Sequence, residues 1–357
     1  MPLPVISLII PVYNTGTYLN RCLDSVVAQQ EVSLGEVEVL LVDDCSTDSS
    51  AETAAAYCRR HNNVRLLRQP VNQGVAAARN RGIDSARGQY LMFLDSDDEV
   101  AAGAFAKILS VIRCFTPDYI KFMHVRLDGD GKELDRKKTS ASGLFNVATD
   151  GIKARQAVFD NVILNMMCWN GVYRREIVGD IRFDSAYPIS EDSYFALLCA
   201  VKACRFYIID EPLCHYYVRR DSLSKTISKK AIFGLLELIN RYGDACSSAD
   251  WLNTVCADVV KRLFFFMLEW DYVLVFRSGK IDTELEMKYF DSLNSLRRRR
   301  GAIKGMNILY PIVWMATWLK SKKCVGACRF YSQMKRRIMH KLSLLLKCRN
   351  IERFAIA

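Results

Sequence analysis

Two hydrophobic periods alternate along the first hundred residues. VISLII (Val5 to Ile10) is the kind of apolar run a buried strand carries, and Leu19, Cys22, Leu23, Val26 and Val27 then recur at the spacing of one helical face. VEVLLV (Val37 to Val42), a helical stretch from Ala51 to Arg60, VRLL (Val64 to Leu67), a second helical stretch from Val75 to Ala86 and YLMFL (Tyr90 to Leu94) repeat the alternation. Strands alternating with helices predict an α/β domain with a mostly parallel sheet covered on both faces. DYIKFMHV (Asp118 to Val125) predicts a further strand and LDGDGKELD after it a turn; Asp128, Asp130 and Glu133 lack the spacing of a calcium loop. The pattern turns helical from Ile152, FYIID (Phe206 to Asp210) is a late strand, and beyond about Lys225 the strand signal stops. Residues 230–357 read as helices, with FFFMLEW (Phe264 to Trp270) their most apolar patch.

A chain of 357 residues has room for two domains, and the pattern divides it into an α/β domain, 1–225, and a mostly helical region, 226–357. Half the residues are apolar and a quarter charged, which excludes a disordered chain. The 13 cysteines are scattered with no CxxC pair, so a reducing, cytoplasmic compartment is expected. MPLP leads straight into the first strand, without the pattern of a secretory leader. The stretch from Gly305 to Leu319 contains Pro311 and falls short of the ~20 residues of a membrane span.

Charge changes the picture at one end only. Residues 293–350 hold 15 Lys and Arg and no acid, so the net charge of +11 leaves residues 1–292 at −4. Lys335, Arg336, Arg337, Lys341 and Lys347 surround Phe330, Met334, Ile338, Leu342 and Leu345, which repeat at helical spacing. A basic amphipathic helix of this kind suits an anionic membrane surface, and a helix packed on the domain with a solvated face is the alternative. Nucleic acid is not an expected partner, because no binding motif accompanies the charge and the rest of the chain is acidic.

In sheets of this class ligands gather beyond the carboxyl ends of the strands. There the chain places Pro11 to Asn14, Asp43 and Asp44, and Asp95-Ser96-Asp97-Asp98. Carboxylates so close repel one another unless a cation lies between them, and hard oxygen donors suit magnesium or manganese. Helix capping is the competing explanation for either cluster. No GxGxxG and no GxxxxGK[ST] occurs, so phosphates would be held by metal and cationic side chains.

SLIIPVYN (Ser7 to Asn14), LLVDDCSTDSS (Leu40 to Ser50), NQGVAAARNRGI (Asn72 to Ile83), GQYLMFLDSDD (Gly88 to Asp98), WNGVYRREI (Trp169 to Ile177), SEDSYF (Ser190 to Phe195) and YYVRRDSLS (Tyr216 to Ser224) stand in the order found in family 2 glycosyltransferases, which the chain resembles over residues 5–225. The resemblance implies a Rossmann-like GT-A fold, a nucleotide-sugar donor such as a UDP-sugar, a divalent metal (Mn2+ or Mg2+) and transfer with inversion to a glycan or lipid-linked acceptor. Cell-surface polysaccharide synthesis at the cytoplasmic face of the membrane is the implied setting. It puts Pro11 and Asp44 at the nucleobase, Arg79 and Asn80 beside the donor and Asp95 near the ribose or sugar, with Tyr13 and Ser96 also among the donor-binding residues. Asp97 and Asp98 become metal ligands, Asp192 the general base with Glu191 beside it, and Arg219 and Ser222 residues that close over the pyrophosphate. Trp169 is a candidate acceptor platform or a core tryptophan. The family often has Lys after Trp-Asn, where this chain has Gly171. A silent module that binds glycan or scaffolds an assembly is the competing function; nucleotidyl transfer would want a glycine-rich loop where PVYN stands.

Overall fold

Ile6 to Val12 form the central strand of the domain, β1, and every residue of it is buried. A computed structural model describes residues 3–29, 35–136, 167–185 and 191–218. β2 (Val37–Asp43) and β4 (Tyr90–Phe93) flank β1 in parallel, with Ile9 in register with Leu40 on one side and Phe93 on the other. β3 (Val64–Arg68) adds in parallel outside β2. Because side chains alternate across a strand, Ile6, Leu8, Ile10 and Val12 share one core with Leu19 and Leu23 of α1 (Gly16–Val27) and Tyr57 of α2 (Ser50–Arg60). Ile9 belongs to the core on the opposite face, with Ala76, Ala78 and Ile83 of α3 (Val75–Ser85). That helix lies hard against the sheet: a Cβ at Gly82 would come 2.3 Å from Ile9 Cγ2, so any larger residue there would push α3 outward.

The parallel half is the sheet the apolar runs predict, and the other half departs from it. β8 (Gly171–Arg174) enters antiparallel between β4 and β6 (Tyr119–Leu127), and β6 pairs in parallel with β9 (Phe206–Tyr217). β5 (Glu99–Val100) runs antiparallel to the far end of β9, and β7 (Glu133–Arg136) folds back on β6 through the predicted turn, where Asp128 N–H donates to the Lys132 carbonyl at 2.9 Å. The sheet is therefore mixed. β5 and β8 have two and four residues, too few to display a period in the sequence.

α4 (Ala104–Phe115) covers the first face beside α1. On the second face, Phe195 of α5 (Glu191–Lys202) stacks on Phe183 at 4.1 Å and meets Phe93 edge-on at 5.4 Å. The core thus carries the start of α5 to the carboxyl end of β4. The helices expected in 230–357, the basic amphipathic segment, and the helical pattern from Ile152 up to residue 166 lie outside the described residues. Among the described residues no helix is long and apolar enough to cross a membrane, and the eight cysteines are free thiols.

Candidate active site

β1, β2 and β4 all point their carboxyl ends at one edge of the sheet, and the loops that follow are laced together. Asn14 and Cys45 both take left-handed backbone conformations, with φ of 51° and 62°. Such strain in non-glycine residues gathers at sites the surrounding structure over-determines. Asn14 Oδ1 accepts the Thr47 N–H at 2.8 Å, and Asp48 accepts from Gly16 N–H and Ser50 N–H at 2.9 Å each, so one carboxylate serves the first turns of both α1 and α2.

Asp44 is buried, with Oδ1 accepting from Gln69 Nε2 at 2.6 Å and Gln73 N–H at 2.8 Å and Oδ2 accepting from Gly74 N–H at 2.7 Å. It therefore ties the segment before α3 to the end of β2. Pro11 is buried in β1 opposite Val42, whereas Tyr13 at the strand's end is 46% exposed. Asn80 is occupied structurally: its amide donates to the Phe183 carbonyl and accepts the Phe183 N–H, both at 2.8 Å.

Arg79 is the hub of the cleft. Its guanidinium is almost fully buried, 5.2 Å over the Phe183 ring, with Nη2 2.9 Å from Asp95 Oδ1 and Nη1 2.9 Å from Glu191 Oε1. One cation from α3 thereby bridges a carboxylate from the end of β4 and another from the start of α5. Asp192 is treated differently. Its carboxylate accepts the Ser193 N–H of its own turn at 2.7 Å, and no ion pair reaches it among the described residues. Burial, followed by repulsion from Glu191, pushes its carboxyl up to about 7, against the pull of Arg79.

In the acidic turn, Asp98 N–H closes onto the Asp95 carbonyl at 3.0 Å. Asp95 and Asp97 are partly exposed, whereas Ser96 and Asp98 are buried. Asp98 faces inward, its Oδ1 accepting the Tyr217 N–H at 2.9 Å. Trp169 is also packed: its ring lies parallel to Tyr216 at 5.4 Å and meets His124 edge-on at 4.8 Å, and the residue is 6% exposed. That is the core-tryptophan alternative. Arg219 and Ser222 lie outside the described residues.

Two residues that pattern reading passes over also border this cleft. Lys121 stands buried on β6 opposite Gly171 and donates to Asn170 Oδ1; burial pushes its ammonium well below the usual lysine range, opposed by the charge of Asp192. Its only signal in the sequence is a lone cation inside the apolar run YIKFMHV. The other, Arg21, is taken up below.

The arrangement is a sheet-edge cleft with one bridging arginine, one carboxylate of raised basicity and an acidic turn. Residues 7–182 match the family model described as glycosyl transferase family 2. The chain belongs, over those residues, to glycosyl transferase family 2. Its relatives include the putative glycosyltransferase EpsH of Bacillus subtilis, 30% identical over 248 residues that cover 64% of this chain and 65% of EpsH. The minor teichoic acid biosynthesis protein GgaB of B. subtilis is 27% identical over 63% of this chain and 24% of its own length. The chain thus spans just under two thirds of EpsH and a quarter of GgaB. Among solved structures, S. aureus TarS 1-349 in complex with UDP-GlcNAc superposes with a TM-score of 0.67 at 20% identity, covering 83% of this chain and 81% of that one. The fold is GT-A, the fold of TarS.

Proposed function

We propose that this protein is an inverting glycosyltransferase that moves a sugar from a UDP-sugar to a hydroxyl of a glycan or lipid-linked acceptor in cell-surface polysaccharide synthesis. The observation that carries the reading is the division of labour between two adjacent carboxylates. Arg79 neutralises Glu191, which leaves Asp192, with its carboxyl near 7, as the group able to take the acceptor hydroxyl's proton while that oxygen attacks the anomeric carbon. Inversion needs one such base and no covalent intermediate. Relatives named for polymer assembly, such as GgaB, support the setting, and the TarS complex supports a UDP-sugar.

The acidic turn fits a divalent cation through its two partly exposed carboxylates, Asp97 and Asp95, the second with Oδ1 already paired to Arg79, whereas Asp98 is buried with Oδ1 accepting from Tyr217. The ligand pair in this reading is therefore Asp97 with Asp95, in place of Asp97 with Asp98. Among the described residues no group of three or more metal-ligating side chains occurs, and two carboxylates suit an ion that takes its remaining ligands from diphosphate oxygens and water. Such an ion, when bound, supplies positive charge for the leaving diphosphate.

The test is a panel of nucleotide sugars with and without manganese and a polyol acceptor. Metal-dependent release of UDP, and NMR of the product's anomeric centre showing inversion, are the expected results. Binding of UDP with no turnover of any donor would favour the silent glycan-binding module. For the basic segment, truncation at residue 292 is expected to abolish flotation with anionic vesicles at low salt, and salt is expected to weaken flotation of the full chain. A full chain that ignores such vesicles at low salt would move the protein from the cytoplasmic membrane face to the cytoplasm.

A further inference from the structure

One face of α1 grips the acidic turn and the strand that follows it. Arg21 Nη2 donates to the Asp97 carbonyl at 2.7 Å, and the Cys22 thiol, which burial keeps protonated, lies 3.8 Å from the Asp95 carbonyl. Ser25 Oγ accepts the Val100 N–H at 3.0 Å, and Gln29 Nε2 donates to the Ala101 carbonyl at 3.1 Å. Positions 21 and 25 lie one turn apart on the helix, and Gln29 follows just beyond its last residue, Val27.

Arg21 is the most heavily engaged of the four. Besides the Asp97 carbonyl, its Nε pairs with Glu99 Oε1 at 3.0 Å, and its guanidinium carbon sits 3.5 Å from the centre of the Tyr217 ring. The Tyr217 hydroxyl donates to the same Glu99 oxygen at 3.1 Å, and the Tyr217 N–H donates to Asp98 Oδ1 at 2.9 Å. Asp97 is thus the residue between two fixed points: its carbonyl is held by Arg21 and its neighbour's carboxylate by β9. Partly exposed ion pairs contribute little to stability, so the convergence of a carbonyl, a carboxylate and a ring on one guanidinium is poorly accounted for by folding alone. It is well suited to fixing the peptide plane from which the Asp97 side chain projects, because only a planar, multi-donor head can engage all three at once.

We infer that Arg21 is the positioning residue of the acidic turn, orienting the Asp97 carboxylate toward a divalent cation through the contact with the Asp97 carbonyl. The inference rests on the reading that Asp97 holds such an ion. In this role Arg21 acts through the Asp97 carbonyl.

The test uses the full chain as parent, Arg21→Gln, Arg21→Lys and Gln29→Ala, with manganese titrated in the presence of UDP and free ion followed by electron paramagnetic resonance. Arg21→Gln is expected to weaken manganese binding on the order of 10- to 100-fold, the usual cost of losing a residue that orients a ligand. Arg21→Lys is expected to recover part of the loss, since an ammonium can reach the carbonyl but cannot span Glu99 as well. Gln29→Ala removes the hydrogen bond to the Ala101 carbonyl, made from just past the end of the same helix and beyond the acidic turn, and is expected to leave manganese affinity unchanged. Parent-like affinity in Arg21→Gln overturns the inference, and so does an equal loss in Gln29→Ala, which would mean general loosening. Should Arg21→Gln fail to fold, the comparison of Arg21→Lys with Gln29→Ala decides: a loss confined to Arg21→Lys supports the inference and equal affinities overturn it. A parent that binds no manganese overturns the metal reading itself, an outcome distinct from a parent that binds and a variant that binds as well.

Discussion

Asp192→Asn is expected to reduce sugar transfer by about 10²- to 10⁴-fold while donor affinity stays near that of the parent, because the amide keeps the shape of the carboxylate and cannot accept a proton. The parent's turnover is expected to rise with pH through about 7, following ionisation of Asp192, and the residual turnover of Asp192→Asn to lose that limb. A stability signature accompanies the kinetic one. An unfolded aspartate ionises near ~3.9, so between that pH and about 7 the folded state binds a proton that the unfolded state does not, and stability falls as pH rises across the window. Asparagine is free of this penalty. The melting temperature of Asp192→Asn is therefore expected to exceed the parent's at pH 8 and to converge with it near pH 4. Steady-state kinetics, calorimetry with UDP and thermal melts at the two pH values check all three outcomes. Retained activity in Asp192→Asn with loss in Glu191→Gln would transfer the role to Glu191, against its pairing with Arg79.

The second large effect separates Asp97 from Asp98. Asp97→Ala is expected to abolish the enhancement of UDP binding by manganese with little change in melting temperature, since its side chain is partly exposed at a strand-end turn. Asp98→Ala is expected to act on the fold. It removes the acceptor of the Tyr217 N–H in a buried setting, and an unsatisfied buried donor costs about 1–3 kcal/mol. Calorimetry with and without manganese, beside thermal melts of both variants, reads the two effects independently. Equal UDP affinity with and without the ion in the parent would remove the metal from the account. A reversed pattern, with Asp98→Ala stable and blind to manganese, would restore Asp98 as the ligand.

The strands β1, β2, β4 and β6 were legible because each is a mostly apolar run buried on both faces, β3 from the shorter stretch VRLL, and α1 to α3 because their apolar positions recur at helical spacing. β8 was not. GVYR has no period of its own, and it becomes a strand because β4 and β6 leave a gap with free backbone groups on both sides. At the cleft, residue type and order could mark the acidic turn at the end of β4 as a candidate, whereas Glu191 and Asp192, at the start of α5, were marked only by the family resemblance.

The amino-acid sequence by itself determined the fold class and the edge of the sheet where acidic residues collect, because these depend on local period and on residue type at the strand ends. Only the tertiary structure decided what each carboxylate contacts. Arg79 lies 112 residues from Glu191, Asp98 lies 119 from Tyr217, and Arg21 lies 76 from Asp97, and each contact fixes whether a carboxylate is neutralised, buried or presented. A side chain's charge state and direction are set by whatever the folded chain brings within a few ångströms of it, and chain order between distant residues carries no measure of that distance.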